Sequence, residues 1–183
     1  MEFVSWLREE NRKNNQRSLH TIQVFDTFVE RYDAWFDSPF GKSAFNLEKS
    51  CITSLCRNLK RPSLEIGVGT GRFAEALGIE YGVDISGRVL EFAKRRRITV
   101  VKGSGEKLPF PDESFGSIFI IATICFVEKP EKVLEEASRV LAKDGRLTYT
   151  RLNIKGKPVG TLLHEERRSR QRFLQKRDIL QLQ

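Results

Sequence analysis

The stretch "LEIGVGTGRF" at 64–73 sets Gly67, Gly69 and Gly71 at alternate positions, just after an apolar run and just before a helical pattern. Glycine permits positive φ and lets a bound group touch the main chain. A tight strand-to-helix turn seldom needs three of them. In an open α/β sheet, ligands bind beyond the carboxyl ends of the strands, where the strand order reverses. The stretch therefore reads as the exit of a first strand shaped around a ligand, with a ligand-free turn as the simpler alternative.

The flanking sequence agrees with such a sheet. Apolar spacing predicts a first strand at 63–68, a short helix at 71–77, a second strand at 80–85 and a helix at 86–96. A third strand is expected at 98–101. A nearly all-apolar fourth follows at 117–124, as for a central strand covered on both faces. Pro130 opens a helix at 130–143 that Asp144-Gly145 ends, and a fifth strand follows at 146–153. Strand–helix alternation of this kind gives a Rossmann-like, mostly parallel α/β sheet. Upstream, Ile22, Phe25, Val29, Tyr32 and Phe36 recur at helical intervals, "DSPFGKS" reads as a break, and a second helix is expected at 43–59. The 183 residues suit one domain. It divides into an N-terminal helical lid (1–60), a cofactor-binding α/β core (61–153) and an atypical basic tail (154–183).

The nature of the ligand follows from residues around the glycines. The dinucleotide fingerprint is G-x-G-x-x-G with a pyrophosphate at the helix N-terminus. Here Arg72 follows Gly71, so the spacing is G-x-G-x-G, and Glu65 lies two positions before the first glycine. A carboxylate there repels a phosphate and suits a cation. S-adenosylmethionine, with an ammonium and a sulfonium, fits. "YGVDIS" places Asp84 at the end of the second strand, where a carboxylate can accept from both ribose hydroxyls, and Ile85 next to it for the adenine face. The alternative for Asp84 is a helix cap, which Ser86 could supply instead.

Four motifs in register, "LEIGVGTGRF", "YGVDIS", "GSGEKLPFPDESF" and "EKVLEEASRVLAKDGRL", resemble those of class I S-adenosylmethionine-dependent methyltransferases. The similarity is to the methyltransferase-11 type, which includes ubiquinone/menaquinone methyltransferase-like enzymes. It extends over 25–153, because "FDTFVERYDAWFDSPFGKSAFNLE" resembles the helical lid of that group. The resemblance implies that Gly67, Gly69 and Gly71 shape the backbone around the methionine portion, that Glu65 holds the amino group directly or through water, and that Asp84 binds the ribose. It further implies that Gly105 and Glu106 border the adenine, that Tyr32 closes from the lid, and that Thr123 lies near the methyl-transfer site. Core packing for Tyr32 and local backbone bonding for Thr123 stand as alternatives. Ser104 and Gly116 stand where the family often has acidic residues; at Gly116 lost stability is the expected result.

No general base is legible, and the acceptor reads as a small molecule. The segment "ATICFV" lacks the Asn/Asp-Pro-Pro-aromatic motif of enzymes that methylate nucleobase amines. Phe115, Phe119 and Phe126 could line a pocket, with core packing the favoured reading. The net charge of +8 invites nucleic acid, but residues 154–183 hold 8 basic and 3 acidic side chains and so carry most of it. A non-catalytic cofactor-binding module, a nicotinamide-binding domain and an RNA methyltransferase are the competing readings. No apolar run approaches a membrane span of about 20 residues, and 1–15 lacks a secretory signal, so a cytoplasmic protein is expected. Cys51, Cys56 and Cys125 read as buried free thiols, and His20 and His164 are too scattered for a metal site.

The tail shows no strand pair in sequence, so an exposed sheet edge is expected after the fifth strand. "FLQKRDILQLQ" can be written in codons that, shifted by one base, encode "FYKNATFYSY", and "LLHEERR" likewise arises from a frame encoding "FYMKKEG". The expectation is a chain out of frame beyond about Gly160 and therefore truncated, against a genuine basic helical tail.

Overall fold

The computed structural model describes residues 17–56, 58–152 and 158–164. Two helices, α1 (Arg17–Trp35) and α2 (Pro39–Leu55), precede the sheet. Then follow β1 (Ser63–Ile66), α3 (Arg72–Leu77), β2 (Tyr81–Asp84), α4 (Gly87–Arg95), β3 (Thr99–Lys102) and β4 (Phe115–Ile120). A 3-10 turn (Ile124–Phe126), α5 (Pro130–Val140), β5 (Leu141–Leu152) and β6 (Pro158–His164) complete the order. The sheet runs β3-β2-β1-β4-β5-β6. The first five strands are parallel and β6 is antiparallel to β5. The strand order reverses between β1 and β4.

Burial explains the order. β1 and β4 are buried along their whole length, as central strands must be. On one face Leu64, Ile66, Ile118, Ile120 and Leu147 pack with Val133, Leu134, Ala137 and Val140 of α5. On the other, Val68, Phe119 and Ile121 pack with Ile52 of α2, Ala74 of α3, and Leu90 and Ala93 of α4. Each Val, Leu, Ile or Phe among them contributes roughly 1.5–3 kcal/mol on burial. Ile52 thus places α2 on the α3–α4 side of the sheet, and α1 packs against α4.

Several boundaries differ from the sequence reading for physical reasons. The helix α2 starts at Pro39 rather than 43, because Ser38 caps it, accepting from Gly41 N at 3.0 Å, and Pro39 occupies the first turn. The "break" is a helix start. β4 ends at Ile120, since Ala122 takes φ 53° and the 3-10 turn follows. α5 stops at Val140, and β5 begins at once with an irregular pairing between Phe115 and Ser117. A side chain at Gly116 would meet Lys60 Cβ at 2.9 Å and Arg61 O at 3.0 Å, so glycine suits this chain there. The three thiols are free, but Cys51 and Cys125 are exposed rather than buried.

The tail needs a correction over Pro158–His164. Those residues form β6 and cover the outer edge of β5, from Leu147↔His164 to Leu152↔Pro158. The expected bare edge is therefore paired. The reading that the chain leaves frame beyond about Gly160 falls mostly on residues 165–183, outside the described residues.

Candidate cofactor site

A cavity of about 350 Å³ opens at the β1–β4 switch. Its lining includes Tyr32 from the lid, Gly67 and Gly69 after β1, Asp84 and Ile85 after β2, Gly105 and Glu106 after β3, and Thr123 after β4. Eight of the ten residues singled out from sequence meet there. The other two lie behind the wall. Glu65 is on β1 and only 2% exposed. Gly71 caps α3, and a Cβ on it would press on Ala93 at 3.0 Å, so it lets α3 and α4 approach.

The loop after β1 is folded by its own backbone. Gly67 N and Val68 N both donate to Val83 O, at 2.8 and 3.1 Å. Gly67 adopts φ 73°, and a Cβ there would overlap the Thr123 side chain. Gly69, at φ 53°, has open space where its Cβ would stand. Bare main chain therefore faces the cavity at this point. Gly69→Ala accordingly costs about 1 kcal/mol of backbone strain and projects a methyl into the cavity.

Asp84 ties the two strand exits together. Its Oδ2 accepts from Gly69 N at 3.0 Å and its Oδ1 from Ser86 N at 2.9 Å. Ser86, not Asp84, caps α4: its Oγ accepts from Val89 N at 3.2 Å, and it also bonds Asp26 of the lid. Burial pushes the Asp84 carboxyl above the usual range, against the N–H groups of Ser86, Gly69 and Ile85. Burial, then the neighbouring Asp84 and Glu48, pushes Glu65 well up. Its Oε2 is buried without a hydrogen-bond partner among the described residues. An isolated buried carboxylate is costly unless it is protonated or paired.

Aromatic rings of α1 and of the 3-10 turn form one wall of the cavity. Tyr32 packs edge-on against Phe25 at 5.6 Å and Phe36 at 5.3 Å, and Phe25 packs against Phe126 at 5.7 Å. Burial, then the Glu48, Glu65 and Asp84 carboxylates, pushes the Tyr32 hydroxyl far above its ordinary value. Tyr32 thus does both things weighed for it, packing and lining. Thr123 does too, since its Oγ1 donates to Ile121 O at 3.0 Å and to Gly67 O at 3.3 Å. Ala122, strained at φ 53°, donates its N–H to Thr150 Oγ1 at 2.9 Å. Such strain recurs at functional sites.

Phe126 lines the wall, the less favoured of the two readings given to it, while Phe115 and Phe119 are indeed core; sequence reasoning passed over Phe25 as a wall residue. The seven-residue spacing from Phe25 to Tyr32, two helical turns, is the signal that both share a face. It also passed over Asp33. That carboxylate receives Arg72 Nε and Nη2, both at 3.0 Å, and Arg96 Nη2 at 2.9 Å, latching α1 to α3 and α4. Among the described residues no group of His, Cys, Asp and Glu could hold a metal ion, and no helix is long and apolar enough to cross a membrane.

Comparison with known proteins accounts for this architecture. Residues 64–149 match the sequence profile of a family described as a methyltransferase domain. An uncharacterized protein of Methanocaldococcus jannaschii is 44% identical over 127 residues, 69% of this chain and 60% of that protein. A ubiquinone/menaquinone biosynthesis C-methyltransferase of Brucella abortus is 30% identical over 170 residues, 83% of this chain and 63% of its own length. A solved structure from Thermotoga maritima, titled an S-adenosylmethionine-dependent methyltransferase and "possible histamine N-methyltransferase", has TM-score 0.66 at 40% identity. It covers 72% of this chain and 61% of that one. The chain spans between 41% and 63% of the length of the curated relatives it matches. With the profile running from β1 into β5 and a 40% identical solved relative sharing the fold, the core of this chain at 64–149 is similar to the methyltransferase domain of class I S-adenosylmethionine-dependent methyltransferases.

Proposed function

We propose that this protein binds S-adenosylmethionine across the β1–β4 switch and transfers its methyl group to a small-molecule acceptor by in-line displacement. The observation that carries the reading is the pairing of bare backbone at Gly69 with the Asp84 carboxylate beside it. Beside its bonds to backbone N–H groups, Asp84 keeps lone-pair capacity for ribose hydroxyls. Ile85 packs on the adenine face, and the backbone at Gly105 and Glu106 reads its edge. Glu65, buried with an unpartnered oxygen, balances the ammonium. When bound, the cofactor supplies a methyl carbon on a sulfonium whose leaving group is neutral. Phe25, Tyr32 and Phe126 exclude water from that carbon, and Thr123 borders the acceptor side.

The names of the relatives point to different acceptors, one through carbon and one through nitrogen, so the acceptor is proposed only as a small molecule. Among the described residues no Lys, Arg or His lines the cavity, which disfavours strongly anionic acceptors such as phosphorylated substrates. Calorimetry with S-adenosylmethionine tests binding, and conversion to S-adenosylhomocysteine with amine and phenol panels tests transfer. Absence of binding removes the proposal. Binding without turnover on any extract favours a non-catalytic cofactor module. By the same titration, Gly69→Ala binds the cofactor at least about tenfold more weakly, near 1.4 kcal/mol, while the fold persists.

Acidification weakens binding. The ionised forms of Glu48, Glu65 and Asp84 favour a cation, and burial raises all three. Protons bound in the free protein must leave on binding, so affinity rises with pH until all three are ionised. Titrations between about pH 8 and pH 5 show a progressive loss toward acid. A flat profile argues against a carboxylate-lined cation site.

A further inference from the structure

We propose that Glu48, carried by the lid helix α2, is a second carboxylate for the amino-acid end of the bound nucleoside, facing Glu65 across the strand exits and making lid seating sensitive to that end of the ligand. The inference rests on the proposed cofactor reading and adds to it a residue that neither the glycine motif nor the strand ends contain.

Three placements support it. Thr150 Oγ1 accepts from Ala122 N at 2.9 Å and donates to Glu48 Oε1 at 3.3 Å. Glu48 is thereby held over the exits of β4 and β5, one residue from the cavity wall that Ala122 forms. Next, Glu65 pairs in register with Phe119, and Phe119 with Thr148, so these three residues share one sheet face. Two residues further along each strand come Gly67, Ile121 and Thr150, on the same face. Glu65 and Glu48 therefore flank one row of the sheet from opposite sides, on the side where the lid packs. Lastly, Tyr32 lies close enough to Glu48, Glu65 and Asp84 for all three to act on its hydroxyl.

The charges there lack a counterpart. Among the described residues no Lys or Arg pairs with Glu48, Glu65 or Asp84, in a chain of net charge +8. Arg72 and Arg96, behind the glycine loop, are held by Asp33, Asp37 and Glu75. Asp84 is bonded by Gly69 and Ser86, whereas Glu65 Oε2 is partnerless and 2% exposed, and Glu48 has one long bond to a hydroxyl. Burying several like charges without a cation is unfavourable. A primary ammonium, with three donors, answers both carboxylates at once.

The test compares S-adenosylhomocysteine, which carries the amino-acid end, with 5′-methylthioadenosine, which lacks it, by calorimetry on the full chain. Glu48→Gln raises the dissociation constant for S-adenosylhomocysteine about tenfold and changes that for methylthioadenosine less than about twofold. Equal losses for both ligands, or no loss for either, overturn the assignment. Should Glu48→Gln not fold, Thr150→Val keeps the carboxylate and removes its tether. It must then weaken S-adenosylhomocysteine selectively, and an unselective effect overturns the assignment. A wild-type protein that binds neither nucleoside refutes the cofactor reading and this inference together, whereas wild-type binding with an unselective Glu48→Gln refutes this inference alone.

Discussion

Asp84→Ala raises the dissociation constant for S-adenosylmethionine about 100-fold. Two charge-assisted hydrogen bonds to ribose hydroxyls are each worth about 1.5 kcal/mol or more, and about 2.7 kcal/mol is a factor of 100. The variant also frees Gly69 N and Ser86 N, which Asp84 holds at 3.0 and 2.9 Å. The glycine loop loses its tie to β2, so the loss falls on the ligand and on the loop that receives it. The fold itself suffers less. Ser86 keeps the α4 cap through Val89 N, and a carboxylate that burial opposes is removed. A stability change of about 1–2 kcal/mol, a few degrees in Tm for a chain of this size, is expected. Paired calorimetry and thermal unfolding separate the two effects. A folded Asp84→Ala protein with wild-type affinity removes the ribose role.

What was legible in the sequence follows local rules. β1 and β4 show as apolar runs because both faces are buried, and α5 shows as a stripe because one side packs on the sheet. The loop glycines and Asp84 are readable because backbone geometry and strand ends fix their places. The start of α2 misleads because Ser38-Pro39 is a good helix opening while Pro39 and Gly41 together look like a breaker. There Gly41 is needed for contact, since a Cβ on it would overlap Trp35 O. β6 was hidden by the dense charge that follows it in sequence, although "PVGTLLH" itself is compatible with a strand. Glu48 and Asp33 could not be read at all. Their meaning lies in Thr150, 102 positions away, and in Arg72 and Arg96, 39 and 63 positions away. No spacing rule reaches so far.

Asp33→Ala loosens the lid and lowers stability by about 2–3 kcal/mol. Along α1, Asp26, Glu30 and Asp33 fall on one face and meet Ser86, Arg88, and Arg72 with Arg96. Most of these contacts are weak. Arg88 and Glu30 are 53% and 62% exposed, and such a pair contributes little. Asp33 is different: it is 13% exposed, is gripped by both nitrogens of the Arg72 fork, and is shared with an Arg96 that is itself 18% exposed. Removing it leaves two largely covered guanidiniums with the exposed Asp37 and Glu75 as their remaining carboxylate partners. Breaking a fully buried pair from one side costs about 3–5 kcal/mol, and these remaining partners reduce the figure. Arg96 also donates to Thr70 O at 2.8 Å, so the network grips the glycine loop from behind. Burial alone would raise the Asp33 carboxyl, but Arg72 and Arg96 outweigh it and hold it below the usual range. A depressed acid contributes stability above its unfolded pKa and loses it as pH falls through the folded one. The Tm gap between wild type and Asp33→Ala is therefore full at neutral pH, begins to close below about pH 4, and vanishes in stronger acid. Thermal unfolding across that range, with hydrogen exchange along α1, reads both the size of the latch and its place. A gap of less than a degree at neutral pH would show that the lid is held by its rings rather than by this carboxylate.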